Sequence, residues 1–363
     1  MKEILIFHQG SLGDTIICIP AIRAIRRHYG EDAKITLLHE QKEVLRVQPQ
    51  EILGPNVRID EYASYQTFQH GKWRQLKEYV SLWLKLRKGR YAAVFYLLTN
   101  TRTVWQARRD KAFFAACGIR QKIGFDRRGV SSRVRRMQEG RVVQYDHESQ
   151  IHLQRLREAG INISLEQDIS KPFLLLSENA IQRGDAWLKE QGLDAGVPLI
   201  AIAPATNMPS KQWPVERFAA IVEKLMDWEK AHLVFLGAAS DNLLIKKICQ
   251  GKPRCHNAAG MLSPLESAAV IKRCKFIFGL DTGTVHLAGA QGVPCLALYS
   301  ERNYPGQWDP TGEGHILLRN PVKCQGCGLA VCNQPGHPCM NGISVEEVWK
   351  HMEIMAGCWS LLN

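Results

Sequence analysis

Two short apolar runs, Ile4–Phe7 and Phe276–Gly279, each end in a glycine-containing turn that carries an aspartate and passes into a helical pattern. The first turn, His8-Gln9-Gly10-Ser11-Leu12-Gly13-Asp14, precedes the pattern 15–29; the second, Gly279-Leu280-Asp281-Thr282-Gly283-Thr284, precedes 285–291. An apolar run too short for a buried helix, then a turn, then a 3.6-residue period reads as a strand–turn–helix unit of a parallel sheet. In open α/β sheets such turns lie at the carboxyl edge of the strands, where ligands bind. A chain of 363 residues exceeds a usual single core, so the two turns predict two domains.

The rest of the pattern agrees. Strands are expected at 4–8, 35–39, 57–59, 92–98 and 122–125, with helices at 15–29, near 41–47, and at 73–88 and 103–116. A helix at 147–159 stops at Gly160, and the rhythm pauses around 170–177. It resumes with strands at 198–204, 232–237, 276–279 and 294–299, and helices at 178–191, 214–228, 241–249, 264–273 and 283–291. This βαβ alternation predicts two doubly wound Rossmann-like domains facing a cleft, at 1–172 and 173–343. The last helical stretch, in 344–363, is expected to pack back on the first domain. Residues 127–139 show no period and read as a mobile basic loop.

Lys and Arg outnumber Asp and Glu by 47 to 35, which favours an anionic partner. The excess is concentrated in two places. Arg120, Lys122, Arg127, Arg128, Arg133, Arg135, Arg136 and Arg141 face only Asp126 and Glu139, and the stretch from Lys72 to Arg90 is basic apart from Glu78. In that second stretch Trp73, Leu76, Val80, Trp83 and Leu84 recur at helical spacing. Such a stripe either faces a core or lies on an anionic membrane. No apolar run approaches the roughly 18 residues of a membrane span, and Ile4–Phe7 is too short for a signal peptide, so a cytoplasmic protein is expected.

Of eleven cysteines, seven are scattered and read as small core residues. The other four, Cys324-x2-Cys327-x4-Cys332-x6-Cys339, are compact enough to hold one structural zinc or iron through four thiolates. Reduced thiols or disulfides are the alternatives.

Asp14 fits either a helix cap or a catalytic carboxylate. The first turn lacks Gly-x-Gly-x-x-Gly and the chain has no Gly-Lys-Ser/Thr loop, which argues against dinucleotide-dependent dehydrogenases and P-loop enzymes. Asp281, Thr282 and Gly283 open a helix whose free amides and positive end could hold a diphosphate, or else Asp281 or Thr282 simply caps it. His286, one turn inside, reads as a core histidine or as part of the same mouth. Lys211, on the loop before Trp213-Pro214, reads as solvated or as a phosphate partner.

Together these segments resemble the ADP-heptose:lipopolysaccharide heptosyltransferase family, glycosyltransferase family nine, over essentially the whole chain. The resemblance is carried by Ser11-Leu12-Gly13-Asp14 with Ile19-Pro20-Ala21, and by Lys211-x-Trp213-Pro214 with Phe218. It continues through Asn257-Ala258-Ala259-Gly260 and Gly279-Leu280-Asp281-Thr282-Gly283-x-x-His286-Leu287-Ala288. Trp308-x-Pro310 and the four cysteines before Ile343-Ser344 complete it.

The resemblance implies a GT-B fold and inverting transfer of a sugar, usually heptose from ADP-heptose, to a lipopolysaccharide core acceptor, with no metal needed for the chemistry. It makes Asp14 the general base, gives the leaving diphosphate to Thr282, Gly283 and the helix end with Lys211 offsetting its growing charge, and places Asp281 and His286 in the donor site. It matches Thr206 to a donor-site threonine and Asp241 to a position that contacts the nucleoside ribose. On the acceptor side it points to Gly13, to His8 where many members carry Lys or Arg, and to His147. The basic residues Arg133, Arg135 and Arg136 would meet an anionic acceptor and the inner face of the cell membrane. A glycosyltransferase with another nucleotide-sugar or a protein acceptor is the nearest alternative. A non-enzymatic glycan- or nucleic-acid-binding protein is the other; the basic, aromatic-interleaved motifs of common RNA modules are absent, and no nucleic-acid partner is expected.

Overall fold

The computed structural model describes residues 2–41, 47–66, 72–99, 102–126, 133–193, 196–228 and 231–358, the side chains of 72–75 excepted. Most of the helix expected near 41–47, and Arg127 and Arg128 of the basic segment, lie outside these residues. The chain divides into two compact units, Met1–Val134 with Asp146–Ile169, and Arg135–Tyr145 with Ser170–Asn363.

The first unit is built on strands β1 (Glu3–His8), β2 (Lys34–Glu40), β3 (Glu61–Tyr65), β4 (Ala93–Leu97) and β5 (Gln121–Ile123), in the order β3-β2-β1-β4-β5. All neighbours are parallel; Ile6 of β1 stands opposite Leu37 on one side and Phe95 on the other. A parallel sheet is covered on both faces, which is why β1, β2 and β4 read as nearly continuous apolar runs. Its helices are α1 (Leu12–Tyr29), α2 (Pro49–Leu53), α3 (Lys72–Lys88), α4 (Val104–Ala116) and α5 (Glu148–Glu158), with α5 lying against α1. Leu5, Phe7, Leu38, Leu86, Tyr96 and Phe114 form the core of one face.

Two expectations change in this unit. The short strand foreseen at 57–59 does not form; a turn at 54–56 is closed by Val57 N–H on the Leu53 carbonyl, and the strand follows at Glu61. Helix α3 forms, but it buries Leu82 and Leu86, while Leu76, Val80 and Leu84 remain 53%, 47% and 47% exposed. Of the stripe read from spacing, Trp83 packs against the core, its Nε1–H donating to the Ala116 carbonyl at 3.0 Å, while Leu76, Val80 and Leu84 do not; the Trp73 side chain lies outside the described residues.

The basic loop is also corrected. Residues 134–145 form a hairpin, β6 (Val134–Gln138) and β7 (Arg141–Tyr145), turned by Glu139 and Gly140 at φ 50° and 75°. Positive φ at both turn positions is the two-residue hairpin geometry that matches strand twist, and Gly140 meets it without strain. Within the second unit, the Gln325 side chain bonds both backbone groups of Val142, and Tyr145 stacks on Tyr304 at 5.3 Å.

The second unit carries a six-stranded parallel sheet of β8 (Leu199–Ala203), β9 (His232–Phe235), β10 (Cys255–Asn257), β11 (Phe276–Leu280), β12 (Cys295–Leu298) and β13 (Ile316–Leu318), ordered β10-β9-β8-β11-β12-β13. Helices α6 (Glu178–Glu190), α7 (Val215–Leu225), α8 (Asn242–Cys249), α9 (Pro264–Arg273), α10 (Gly283–Ala290), α11 (Pro338–Asn341) and α12 (Val345–Gly357) complete it. The placement of the C-terminal helix on the first domain is overturned: Val348, Met352, Met355 and Ala356 of α12 belong to the second unit's core with Trp213, Phe218 and Phe278. An apolar stripe goes to the nearest face that can bury it, and here α7 and β12 provide one.

Candidate functional site

In each sheet the strand order reverses beside its first strand, between β1 and β4 in one unit and between β8 and β11 in the other. Ligands of doubly wound sheets bind at such switch points, beyond the carboxyl ends of the strands. Of the residues singled out from sequence, His8, Gly13 and Asp14 follow β1, and Thr206, Lys211, Asp281, Thr282, Gly283 and His286 follow β8 and β11.

In the first unit the chain leaves β1 at His8 and enters α1 at Leu12, three residues earlier than its helical pattern suggests. Ser11 is the N-cap and Asp14 stands at the third helical position. Asp14 Oδ2 accepts from Ser11 N–H at 2.6 Å and from the Ser11 hydroxyl at 2.8 Å, so this carboxylate closes a capping box. The side chain folds over Gly10. A Cβ at Gly10 would lie 2.2 Å from Asp14 Cβ and 2.7 Å from Oδ2, at a φ of 153°. Gly10 is thus required by the pose of Asp14. The same device recurs in the second unit after β9, where Asp241 Oδ2 accepts from Ala238 N–H at 2.7 Å and a Cβ at Gly237 would meet that oxygen at 2.9 Å. The repeated Gly-x-x-x-Asp spacing is the sequence signal of this device.

His8 is buried, with Nε2 3.1 Å from Thr15 Oγ1 and Nδ1 3.4 Å from the Leu97 carbonyl. Burial pushes it below its ordinary 6.5 against the upward pull of Asp14. A neutral imidazole results at neutral pH, so this position carries no positive charge there. Gly13 is buried in the first turn of α1. His147 is the N-cap of α5, its Nδ1 accepting from Ser149 N–H at 3.1 Å. Arg133 differs from its basic neighbours: it is 2% exposed, with Nη1 3.5 Å from Asp146 Oδ2 and 2.8 Å from Gln154 Oε1. Its charge is turned inward. Arg135 and Arg136 are exposed on β6.

In the second unit the loops after β8 and β11 meet. Lys211 Nζ lies 2.8 Å from Asp281 Oδ2 and donates to the Asp281 carbonyl at 3.3 Å. His286 Nε2 stands 4.0 Å from Asp281 Oδ1. Thr282 is the N-cap of α10 but makes no side-chain cap bond, and its Oγ1 is buried without a hydrogen-bond partner among the described residues. A helix start leaves N–H groups without intrahelical acceptors and carries partial positive charge. An ammonium, an uncommitted hydroxyl and a helix N-terminus therefore surround one buried carboxylate, a set suited to an anionic group. Thr206 Oγ1 accepts from Met208 N–H at 3.2 Å. Asp241 opens the region after β9, also bonded by the Ser240 hydroxyl at 2.9 Å.

Cys324, Cys327, Cys332 and Cys339 line one small cavity together with Ser210, Arg302 and His337. Burial pushes the Cys339 thiol above its ordinary 9.0, and the other three thiols add to that push. Among the described residues, no three Cys, His, Asp or Glu side chains stand at metal-coordinating spacing. The thiols converge without forming a coordination shell.

Against known proteins, a profile of glycosyltransferase family 9 (heptosyltransferase) matches residues 80–336. The chain belongs to this family. Lipopolysaccharide heptosyltransferase 2 of Escherichia coli K12 is 28% identical over 141 residues, 37% of this chain and 40% of that protein. The chain thus spans about two fifths of the length of the first curated relatives it matches. Among solved structures, a glycosyl transferase family 9 protein from Veillonella parvula superposes with a TM-score of 0.69 at 20% identity, covering 98% of this chain and 97% of that one. The E. coli ADP-heptose lps heptosyltransferase II gives 0.65 at 20% identity, covering 98% of each. These likenesses establish the GT-B fold class, two Rossmann-like units in one family 9 chain.

Proposed function

We propose that this protein is an inverting glycosyltransferase that moves a sugar, heptose by analogy with its relatives, from an ADP-sugar to a lipopolysaccharide core or related envelope glycan. The observation that carries the reading is the Lys211–Asp281–Thr282 arrangement at the switch point of the second sheet. On this reading the diphosphate takes the Thr282 hydroxyl and the amides opening α10. Lys211, already held by Asp281, offsets the charge that grows on the leaving oxygens as the bond to the anomeric carbon breaks. Asp281 and His286 keep the lysine and the turn in place, while Thr206 and Asp241 border the remainder of the nucleotide. Asp14 takes the proton of the acceptor hydroxyl as its oxygen attacks from the opposite face of the sugar. Both Ser11 contacts fall on Oδ2 and fix the carboxylate, so Oδ1 is the oxygen assigned to the proton. Neutral His8 orients this turn through Thr15 without adding charge. No metal or other cofactor takes part in these steps. ADP should raise the melting temperature well above the effect of equal UDP or GDP, because only a ligand of the folded state stabilises by mass action. Equal shifts for all three would remove the adenine assignment.

The acceptor side includes a membrane. The exposed stripe of Leu76, Val80 and Leu84 on α3 is flanked by exposed Lys77, Lys85 and Lys88, which is the composition of a helix lying in an anionic interface. This supports peripheral attachment to the inner face of the cell membrane; no helix among the described residues is long and apolar enough to cross one. Replacing all three apolar residues with serine should reduce binding to anionic vesicles at least about tenfold, at roughly 0.8 kcal/mol per buried methylene. Unchanged partition would show the stripe to be an ordinary exposed face.

The four cysteines form an all-sulfur donor set, which suits zinc or iron in a structural role once the thiols draw in to about 2.3 Å of the metal. Protein purified without chelators should carry one such ion per chain, lost on replacing Cys327 and Cys332 with serine. Metal-free protein by elemental analysis would leave four reduced thiols.

A further inference from the structure

Lys211 is the last residue of a single turn of 3-10 helix, Pro209–Lys211, and the residue before it is 3% exposed. That residue, Ser210, directs all its polar groups into the cysteine-rich segment. Its N–H donates to the Ala330 carbonyl at 3.0 Å, its hydroxyl donates to the Leu329 carbonyl at 2.7 Å, and its carbonyl accepts from His337 Nε2 at 3.1 Å. Leu329 and Ala330 lie between Cys327 and Cys332, and His337 lies between Cys332 and Cys339. The same loop is held from its other side by Arg302, which donates to the Leu329 carbonyl at 2.9 Å and the Gly328 carbonyl at 2.8 Å. His337 adopts a left-handed φ of 45° and caps the short helix that carries Cys339. A non-glycine residue in that region is uncommon, and its backbone is fixed by bonds from Met340 and Asn341 to its carbonyl.

We infer that the cysteine-rich segment sets the position of Lys211 through Ser210 and His337, which are positioning residues for the diphosphate; the inference rests on the donor reading above. A lysine side chain has four carbons of rotational freedom, so its ammonium is placed reproducibly only if its backbone is fixed and its tip is caught. Asp281 catches the tip and Ser210 fixes the backbone. The segment contributes no atom to the diphosphate, yet its arrangement determines where the ammonium stands.

A double-mutant cycle in ADP affinity, measured by calorimetry on the full chain, tests this. Ser210→Ala removes the hydroxyl contact and should weaken ADP binding about threefold to tenfold, the worth of one buried hydrogen bond. Lys211→Gln keeps a donor for Asp281 but removes the charge, and should weaken binding at least about tenfold. Ser210→Ala placed in the Lys211→Gln background should cost nothing more, because its effect passes through the ammonium. Ser210→Thr, which keeps the hydroxyl, should restore most of the affinity. Equal losses from Ser210→Ala in both backgrounds, or no loss in the parent, would overturn the inference. If Ser210→Ala does not fold, His337→Gln enters the same cycle from the opposite side of the turn. Unchanged affinity in Lys211→Gln would refute the donor reading itself and the inference with it, whereas failure of the cycle alone leaves that reading standing.

Discussion

Asp14→Asn should lower turnover by about 100-fold or more with donor affinity nearly unchanged. General base catalysis contributes about 10²–10⁴-fold, and asparagine keeps the size of the side chain but cannot accept the proton. The capping box makes this variant informative. An asparagine can still accept from Ser11 N–H, so α1 keeps its N-terminus and the melting temperature should move little. A lost helix cap alone would appear as lower stability with turnover preserved among folded molecules, the reverse of the expected result. Near-normal kcat with wild-type-like folding would return Asp14 to a purely structural role.

The second large effect concerns stability. Neutralising the basic segment at Arg133, Arg135 and Arg136 should separate into two behaviours, because only Arg133 is buried against Asp146 and Gln154. Arg133→Ala takes this partner away from the Asp146 carboxylate, itself 7% exposed. Removing one member of a buried pair costs about 3–5 kcal/mol, and denaturant unfolding of Arg133→Ala should show a loss of that order. Arg135→Ala and Arg136→Ala, on the exposed strand β6, should stay within about 0.5 kcal/mol of the parent. A stability loss shared equally among the three would contradict the inward placement of Arg133.

Much of the fold was legible because its strands are covered on both faces. Leu199–Ala203 and Phe276–Leu280 are apolar throughout, and their boundaries are sharp in composition. What was not legible depends on partners distant in sequence. The hairpin at 134–145 has an irregular pattern because β7 docks on Gln325 and Tyr304, and nothing local announces those contacts. In α3, Leu76-Val80-Leu84 and Leu82-Leu86 are both at helical spacing, and periodicity alone cannot say which of two apolar rows meets the sheet. Strands of three residues such as Cys255–Asn257 and Ile316–Leu318 are too short for any period to register.

The candidate site divides in the same way. Asp14, Asp281 and Thr282 were visible as residues after short strands, where doubly wound sheets place their ligand contacts. That Lys211 closes on Asp281, 70 residues away, follows from β8 and β11 being sheet neighbours, which chain order does not state. The neutral state of His8 depends on burial by Thr15, Cys18 and Leu97, contacts that its place in the chain does not announce. Ser210 and His337 carry no sequence signal for positioning, since a serine after a proline and a histidine before one are common in loops.

The proposed reaction is sugar transfer from an ADP-sugar with Asp14 as base. Its most direct test is mass spectrometry of the purified protein incubated with ADP-heptose and a truncated lipopolysaccharide core. The expected result is an acceptor heavier by one heptosyl residue with matching release of ADP, and loss of both in Asp14→Asn protein that still binds ADP. An unmodified acceptor from folded, ADP-binding parent protein would contradict the proposed donor–acceptor pair, and an undiminished product in Asp14→Asn would contradict the mechanism.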